Sequence, residues 1–519
     1  MVSLSWTWVL YGFLVYWALV VVLDRRGVLE RYDVSAAGPM LMVRTQRGKR
    51  LLDRVARHRR FWRAYGNVGV LLAGFVMVLS LYFVLRIGYI SVFDTPEPTS
   101  LTEPRNVLVV PGVNDFLPLS MTPEIVLGLL VAIVAHEAGH GVLCRAQDIG
   151  VSSMGGVFLA ALPMGAFVEP DDDEVEEASP AARTRMFSAG VMANFVLTVV
   201  FFVALAALAG AVTPVGGVGV QFVEDGSAAD EAGVQQGDVV RSIDGGELSS
   251  YEDYVSEVEE TRGEVVLGIT RDGEDLERTI ELDASEGVRI SEVEDGEAAD
   301  EAGLRADDVL VSVGGREVEN VNDLQEALSG TSEGDEVEVE FERDGERRTV
   351  SAVLGAHPVE DVGFLGVNHL TRSEEVGLTP YDVEGPLSLL ASYDPVDWVL
   401  AVFLPLGLTG SRFFGFDGFV MGFYELEGAA AAFGGVYWFA LNALYWSAWV
   451  NFNLGLFNCI PALPLDGGHV FREAVGRGLS YLGGLRESTQ DMVADAVSVA
   501  VAVLLFGSMV LMVAAPRLL

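Results

Sequence analysis

Long uncharged stretches constrain the fold of this chain more than any other feature of its sequence. Residues 4–23 form a run of 20 residues without a charged side chain, which is long enough to cross a hydrocarbon core of about 30 Å as a helix. The run has no small-residue cleavage site, so we expect a retained span rather than a cleaved signal peptide. Further apolar segments predict spans at 65–85, 125–143, 187–212, 435–457 and 493–515. The predicted fold is a polytopic α-helical membrane protein with about six transmembrane helices.

Acidic residues are concentrated in one part of the chain. The whole sequence has 74 Asp plus Glu against 33 Lys plus Arg. Residues 221–350 alone hold 40 acidic residues against 10 arginines, a net charge of −30 (10 − 40). A surface of this sign repels phosphate backbones, which excludes nucleic acid as a partner. High charge in one segment beside long apolar runs predicts a soluble region inserted between membrane spans.

Basic residues are concentrated between the first two predicted spans. Residues 24–64 hold 12 Lys plus Arg against 4 Asp plus Glu, and the positive-inside rule places such a short loop in the cytoplasm. Counting crossings from this loop puts the N-terminus and the acidic region outside the cell. The apolar segment 398–408 has only 11 residues and is interrupted by Pro405, so we interpret it as interfacial or re-entrant. A crossing at this segment would reverse the topology of everything downstream.

The acidic region contains an internal repeat. The eleven residues 224–234 recur at 294–304 with nine identities, which indicates a duplicated module. Each copy continues into a β-branched run and a Gly-Gly turn, as strands joined by hairpins require. The modules resemble PDZ domains, whose grooves bind C-termini or extended segments by strand addition. The sequence therefore predicts an extracytoplasmic tandem of PDZ-like α/β domains, with two simple spacer domains as the alternative.

The third predicted span contains the motif His136-Glu137-Ala138-Gly139-His140. Positions i and i+4 share one face of a helix, so both imidazoles can bind one metal ion. Glu137 lies about 100° further round the helix, where it can reach a water on that metal. Two histidines and a glutamate are costly in an apolar run unless they have a function. A purely structural histidine pair is the alternative.

A catalytic zinc needs three protein ligands and one open position. Asp466 is the leading candidate for the third ligand, because it lies in the segment 458–468, where two prolines and two glycines interrupt any helix. Irregular backbone at membrane depth is tolerated where it is buried in protein or lines a cavity; a solvated helix-ending turn is the alternative. Cys144 and Cys459 adjoin the two motifs. We interpret both as small core residues, and either thiol is next in line as the third ligand.

The pairing of H-E-x-x-H in one span with N-x-x-P-x-x-x-L-D-G in a later one resembles the site-2 protease family of intramembrane zinc metalloproteases. The pattern G-x-x-x-N at Gly190 and Asn194 is similar to a core helix of that family. The resemblance implies a Zn²⁺ ion held by His136, His140 and Asp466. It also implies that the motif glutamate acts first as the base and then as the acid in peptide hydrolysis.

The resemblance assigns roles to further residues. It implies that Asn458 contacts the substrate backbone or the oxyanion, with a helix cap as the alternative. It implies that Asn194 and His469 support the zinc ligands by hydrogen bonds, and an interfacial polar residue is the alternative for His469. In related proteases a β element at 150–169 presents an edge strand to the substrate; here a hairpin and an ordinary loop both fit. The acidic run 171–177 is interpreted as a solvated charge run.

These features predict six consecutive parts of the chain. They are an N-terminal pair of spans with the basic loop (1–120), the first part of the catalytic core (121–212), two PDZ-like domains (213–284 and 285–356), a linker with the interfacial segment (357–433), and the second part of the core with the last span (434–519).

The sequence predicts an intramembrane zinc metalloendopeptidase in the cell membrane, which cleaves a transmembrane protein substrate near its cytoplasmic end. The alternative is a non-catalytic membrane adaptor with PDZ-like domains and a structural zinc. Glu137 argues against the adaptor, because a structural site has no need of a general base. A transporter is a third interpretation, but the sequence lacks the inverted repeat that such folds often contain.

Overall fold

The computed structural model describes most of the chain. The described residues are 6–45, 47–93, 103–107, 111–114, 116–271, 273–282, 287–294, 296–343, 345–357, 362–370, 376–408, 412–483 and 486–518. The chain divides into two compact units. Unit 1 comprises Met1–Ala211, Ser388–Asp417 and Gly428–Leu519, and unit 2 comprises Val212–Leu387 and Gly418–Glu427.

The first part of unit 1 combines long helices with four strands. Its elements are α1 (Trp6–Arg25), β1 (Val34–Ala37), β2 (Met40–Arg44), α2 (Arg47–Val55), α3 (Arg59–Phe93), α4 (Pro104–Val107), α5 (Thr122–Ala146), β3 (Val151–Leu159), β4 (Leu162–Pro170), α6 (Asp172–Glu177) and α7 (Pro180–Ala209). The acidic run at 171–177 forms a short helix with none of its residues buried, in keeping with a solvated charge run. Asp171 caps this short helix by accepting a hydrogen bond from the main-chain N–H of Glu174, as acidic residues do at helix N-termini.

The segment 150–169, for which hairpin and loop both fitted the sequence, forms a hairpin. β3 and β4 pair in antiparallel fashion with Met154 opposite Val168. β1 and β2 extend the hairpin to a four-stranded sheet in the order β1-β2-β3-β4, so β4 is an edge strand. Tyr16 of α1 lies at both hairpin turns: its hydroxyl donates to Pro39 O at 2.7 Å and accepts from the N–H of Ala160 at 2.8 Å. Sequence reasoning interpreted 24–64 only as a basic loop and missed β1 and β2.

Unit 2 is built from short strands and helices. Its elements are β5 (Val212–Pro214), β6 (Val218–Val223), α8 (Ala228–Glu231), β7 (Val239–Ile243), β8 (Gly246–Glu247), α9 (Tyr251–Glu260), β9 (Glu264–Arg271), β10 (Glu274–Glu281), β11 (Val288–Val293), α10 (Ala298–Ala302), β12 (Val309–Val313), β13 (Arg316–Glu317), α11 (Val321–Ser329), β14 (Glu336–Arg343), β15 (Glu346–Val353), β16 (Gly355–Ala356), β17 (Gly363–Phe364), β18 (Val367–Leu370), β19 (Leu378–Tyr381) and α12 (Glu384–Ala391). Two six-stranded sheets result, β10-β9-β7-β6-β19 with β8 beside β7, and β15-β14-β12-β11-β18 with β13 beside β12.

The sheet containing β6 is module 1, and the sheet containing β11 is module 2. Module 2 is nested inside module 1, because β19 follows module 2 in the chain yet pairs with β6, Leu378 opposite Val223. Val376 and Leu378 also belong to the buried core of module 1. β18 completes module 2 by pairing with β11. The predicted boundaries 213–284, 285–356 and 357–433 therefore need correction, since the first part of the predicted linker supplies the last strand of each module.

The last part of the chain returns to unit 1. It contains α13 (Pro395–Phe403), α14 (Gly435–Asn458), α15 (Asp466–Leu482) and α16 (Glu487–Leu518). Between α13 and α14, β20 (Tyr424–Leu426) belongs to unit 2 and pairs with β5. α13 continues as a short apolar helix to Leu406, in keeping with the prediction that the segment 398–408 is too short for an ordinary span.

Four helices in the described parts of the chain are long and apolar enough to cross a membrane. They are Arg59–Phe93, Leu119–Ala146, Pro180–Ala209 and Ser488–Ala515. They correspond to four of the six predicted spans. The other two segments are helical as α1 and α14 but do not belong to this set; α14 carries four asparagines, and Asn442 and Asn451 are buried within unit 1. The chain is a membrane protein with an inserted pair of PDZ-like modules, and the count of six spans stays a prediction.

Candidate metal centre

Helix α5 places the two histidines of the motif one turn apart on one face. The ring centroids of His136 and His140 are 4.8 Å apart. Their side chains are only 10% and 12% exposed. Both rings face α7, which crosses α5 closely.

Glycines allow this close crossing. A Cβ on Gly190 of α7 would lie 2.6 Å from His140 Nε2 and 2.7 Å from His136 Nε2, which is closer than any real side chain approaches. A Cβ on Gly139 of α5 would lie 2.7 Å from the carbonyl oxygen of Ala189. The glycine of the G-x-x-x-N pattern is therefore required by space at the site itself.

Asp466 completes the cluster. It is the first residue of α15, after the break that follows α14, and its Oδ2 lies 2.9 Å from His136 Nε2 and 3.2 Å from His140 Nε2. The turn before α15 is too tight for side chains at the next two positions, since a Cβ on Gly467 would lie 2.5 Å from the Cys459 carbonyl carbon. The sequence D-G-G thus delivers the carboxylate to the two imidazoles.

Hydrogen bonds identify which nitrogen of each imidazole is unprotonated and directs its lone pair towards Asp466. His140 Nδ1 lies 2.8 Å from Met186 O; a carbonyl only accepts, so Nδ1 carries the proton and Nε2 of the neutral ring is free to bind a metal. His136 Nδ1 lies 3.1 Å from the amide of Asn194. Asn194 Oδ1 is buried without a hydrogen-bond partner among the described residues, and the amide orientation that turns this oxygen towards Nδ1 lets it accept the Nδ1 proton.

The donor set fits zinc. Ligand atoms of His136, His140 and Asp466 all lie within 4.8 Å of one another, and they are the metal-ligating group found among the residues that the structure describes. Asp466 Oδ2 is buried without a hydrogen-bond donor in the same described part. Two imidazole lone pairs and a carboxylate oxygen repel one another unless a cation lies between them, and two nitrogens with one oxygen are a ligand set of catalytic zinc sites.

Glu137 points towards a different element from the histidines. Its Oε2 accepts a hydrogen bond from the main-chain N–H of Val168 on β4, at 3.0 Å. β4 packs along α5, because a Cβ on Gly165 would lie 3.5 Å from Ile133 and a Cβ on Gly141 would lie 3.2 Å from Val168 Cγ1. Helix α5 therefore presents the imidazoles to α7 and the carboxylate to the edge of the sheet.

The contacts of Asn458 lie within α14, and those of His469 lie against α7. Asn458 is the last residue of α14, and its Nδ2 donates to Leu454 O of the same helix at 2.9 Å; its contact with the substrate or the oxyanion stays a prediction. The His469 ring stacks on Phe187, with centroids 4.3 Å apart and planes 7° from parallel. Burial lowers the pKa of His469 below its ordinary value. Within the described residues neither side chain hydrogen-bonds to Asp466.

Both cysteines are core residues, as their interpretation from sequence predicted. Cys144 and Cys459 are free thiols and are buried. Cys144 packs in a cluster with Leu52 and Leu143, and Cys459 packs with Val191. Neither belongs to the metal-ligating group in the described part of the chain.

Sequence reasoning missed an ion pair and two main-chain groups around the site. Arg183 at the start of α7 lies 2.8 Å from Glu473 of α15, whose side chain is 11% exposed, and this pair ties α15 to α7 beyond Asp466. The other two groups are the carbonyl of Met186 and the N–H of Val168. Main-chain groups of this kind occur in nearly all residue types, so no sequence pattern identifies them. The ion pair joins residues 290 positions apart, which single-sequence reasoning does not pair.

Comparisons with known proteins agree with this chemistry. A model of peptidase family M50 matches residues 124–505. The chain is 28% identical over 239 residues to an uncharacterized protein of Methanocaldococcus jannaschii, covering 45% of this chain and 60% of that protein. It is 29% identical over 198 residues to the zinc metalloprotease RasP of Shouchella clausii, covering 36% of this chain and 44% of that protein. The chain thus matches about half the length of these two relatives.

Two further similarities cover other shares of the chain. A putative zinc metalloprotease of Neisseria meningitidis is 23% identical over 410 residues, which cover 66% of this chain and 88% of that protein. Among solved structures, the PDZ domain of an SdrC-like protein from Listeria monocytogenes matches at 17% identity with a TM-score of 0.16. That match covers 17% of this chain and 90% of the solved chain.

Proposed function

The chain belongs to peptidase family M50, the site-2 protease family, and from this premise we propose that it is an intramembrane zinc metalloendopeptidase. It hydrolyses a peptide bond in or near a transmembrane segment of a membrane-protein substrate, either in regulated intramembrane proteolysis or in the clearance of membrane remnants. The observation that carries the proposal is the convergence of ligand atoms of His136, His140 and Asp466 within 4.8 Å of one another, with Glu137 on the same helix as the two histidines.

Each residue of the site has a distinct role in this proposal. Zinc held by the three ligands supplies a Lewis acid that polarises the scissile carbonyl and lowers the pKa of a water to about 7. Glu137 accepts the proton of the attacking water and passes it to the departing amide nitrogen. Met186 O and the Asn194 amide hold the two imidazole rings so that each Nε2 faces Asp466, as partners of metal-binding histidines do.

The test of the proposed function is zinc-dependent cleavage in lipid vesicles. Purified protein with a labelled single-span substrate should release product, lose activity when a chelator removes zinc, and regain it when one zinc per chain is restored. Elemental analysis gives zinc per chain, and gel analysis gives product. Magnesium added after chelation is the control and should restore nothing. Cleavage that persists in zinc-free protein would refute the proposal.

The domain arrangement proposed here keeps both PDZ-like modules outside the cell and the metal centre nearer the cytoplasmic side. Its support is the 12 basic residues of the segment 24–64 and the positive-inside rule. After replacement of both native cysteines, a Ser332→Cys variant in the exposed surface of module 2 should react with an impermeant thiol reagent in intact cells. Arg50→Cys is the matched control and should react only after lysis. The reverse pattern would overturn this topology.

The groove of module 2 supports the binding of chain ends or extended segments. A cavity of about 650 Å³ lies between α11 and the β17–β18 segment, and Leu324, Leu328, Phe364 and Leu365 contribute its apolar lining. β18 is the edge of its sheet, so an extended segment can add there by main-chain hydrogen bonds. In this proposal the modules also block bulky ectodomains from the metal centre.

Nesting allows module 2 to be removed alone. Replacing residues 287–370 with a flexible linker leaves β19 in the chain to complete module 1. We expect zinc content and cleavage of a short substrate to remain, while cleavage of a substrate with a folded ectodomain rises relative to the short one. The two substrates are compared in one vesicle preparation. An unchanged ratio would reduce module 2 to a spacer, and lost zinc would show that it supports the fold.

A further inference from the structure

The hydrogen bond between β4 and Glu137 uses a donor that the sheet does not need. Met154 stands opposite Val168, and the Met154 carbonyl already accepts a hydrogen bond from Thr45 on the β2 side of the sheet. Residues opposite one another in an antiparallel pair direct their main-chain groups either both towards each other or both away from each other, and Met154 directs its carbonyl away from β4. The N–H of Val168 therefore points out of the sheet, and Glu137 Oε2 accepts it at 3.0 Å.

The donor is held firmly relative to α5. β4 is paired with β3 along the hairpin, and Gly165 and Val168 lie against the positions of Ile133 and Gly141 on α5. Ile133, Glu137 and Gly141 are four residues apart, so they form one face of the helix. A carboxylate on this face has a single fixed main-chain donor beside it, whereas its own side chain has several rotamers.

We propose that the main-chain N–H of Val168 is a positioning group for catalysis, which fixes one oxygen of Glu137 so that the other is oriented for proton transfer. The inference rests on the proposed function, and it gives the sheet that contains β4 a role in positioning the catalytic carboxylate. Proton transfer requires heavy atoms within about 3.2 Å, and a misplacement of about 1 Å costs up to about 100-fold in rate. A sheet that shifts away from α5 thus switches the site off without touching the zinc ligands.

The test removes one N–H. Val168→Pro deletes the donor and keeps the ladder, because proline is tolerated where an edge-strand N–H points outward. We expect kcat to fall by about 10- to 100-fold, with KM within about twofold and one zinc per chain retained. A second variant replaces only the Val168 amide by an ester through incorporation of the corresponding α-hydroxy acid, and it should show the same loss.

Ala36→Pro is the matched control. β1 is the opposite edge of the same sheet, and the N–H of Val34 points away from β2, to Leu29 O. Alternation along β1 directs the N–H of Ala36 out of the sheet as well, so the kcat of Ala36→Pro should equal that of the wild type. Wild-type kcat in the ester variant, an equal loss in Ala36→Pro, or loss of zinc in the ester variant would each overturn the inference. A wild-type protein that binds zinc but cleaves nothing would instead refute the proposed function.

Discussion

Glu137→Gln is expected to lower cleavage by about 10²- to 10⁴-fold, the usual contribution of general acid–base catalysis, while the protein keeps one zinc per chain. The amide has the size of the carboxylate but takes no proton from water. Glu137 Oε2 also points to the sheet side of α5, and Glu137 is not one of the three residues of the metal-ligating group. Product formation in vesicles and elemental analysis of the same sample measure the two quantities together.

The ligand variants provide the contrast to this result. His136→Ala, His140→Ala and Asp466→Ala should each lose zinc and activity together, because each removes one of the three protein ligands that catalytic zinc sites use. Full zinc retention in Asp466→Ala would place the third ligand elsewhere. Loss of zinc in Glu137→Gln would mean that this residue serves the fold or the metal rather than proton transfer. The inactive, zinc-loaded Glu137→Gln protein is also suited to trap substrates for mass spectrometry.

Gly190→Ala is expected to damage the metal centre from the neighbouring helix. The added methyl would lie 2.6 Å from His140 Nε2, so α5 and α7 must move apart or the rings must turn. Overpacking of this kind costs about 1–3 kcal/mol, which corresponds to a zinc affinity weaker by about fivefold to about 150-fold if the strain falls on the bound state. Competition with a chromogenic chelator measures the affinity.

Gly74→Ala is the matched control for this change. Gly74 is also a helical glycine of a predicted span, in α3, but no atom lies within 4 Å of the place where its Cβ would be. Zinc affinity should be that of the wild type. Wild-type zinc affinity in Gly190→Ala would show that α7 yields at this crossing without disturbing the rings.

The side chains proposed as ligands were predictable because helical periodicity is a local property. His136 and His140 must share a face once the third span is helical, and Asp466 follows from a break that prolines and glycines enforce. Contacts that depend on tertiary packing were not predictable. The partner of Glu137 is the main chain of β4, which no side-chain pattern identifies. Gly190 was recognised as part of a motif, but the reason for a glycine there is the 2.6 Å that would separate its Cβ from His140 Nε2.

The modules show the same division. The repeat identified two copies, since nine of eleven residues recur, and their strands and turns follow local patterns. The pairing of β19 with β6 was not predictable, because a four-residue strand has no periodicity that identifies a partner 155 positions away (378 − 223). α14 was predicted as a span from its apolar residues, and the burial of Asn442 and Asn451 depends on tertiary packing that the sequence does not show.

Nesting lowers the loop-closure cost of module 1 when module 2 folds first. β10 ends at Glu281 and β19 begins at Leu378, so 96 residues lie between them. Once module 2 is folded, Arg289 stands opposite Leu370, and only 7 residues remain on each side of this pair. Each halving of a loop lowers its closure cost by about 0.6 kcal/mol, so early folding of module 2 spares module 1 about 1.5 kcal/mol. A substitution that slows the pairing of β11 with β18 in module 2 therefore delays formation of the module 1 sheet, although neither strand belongs to module 1.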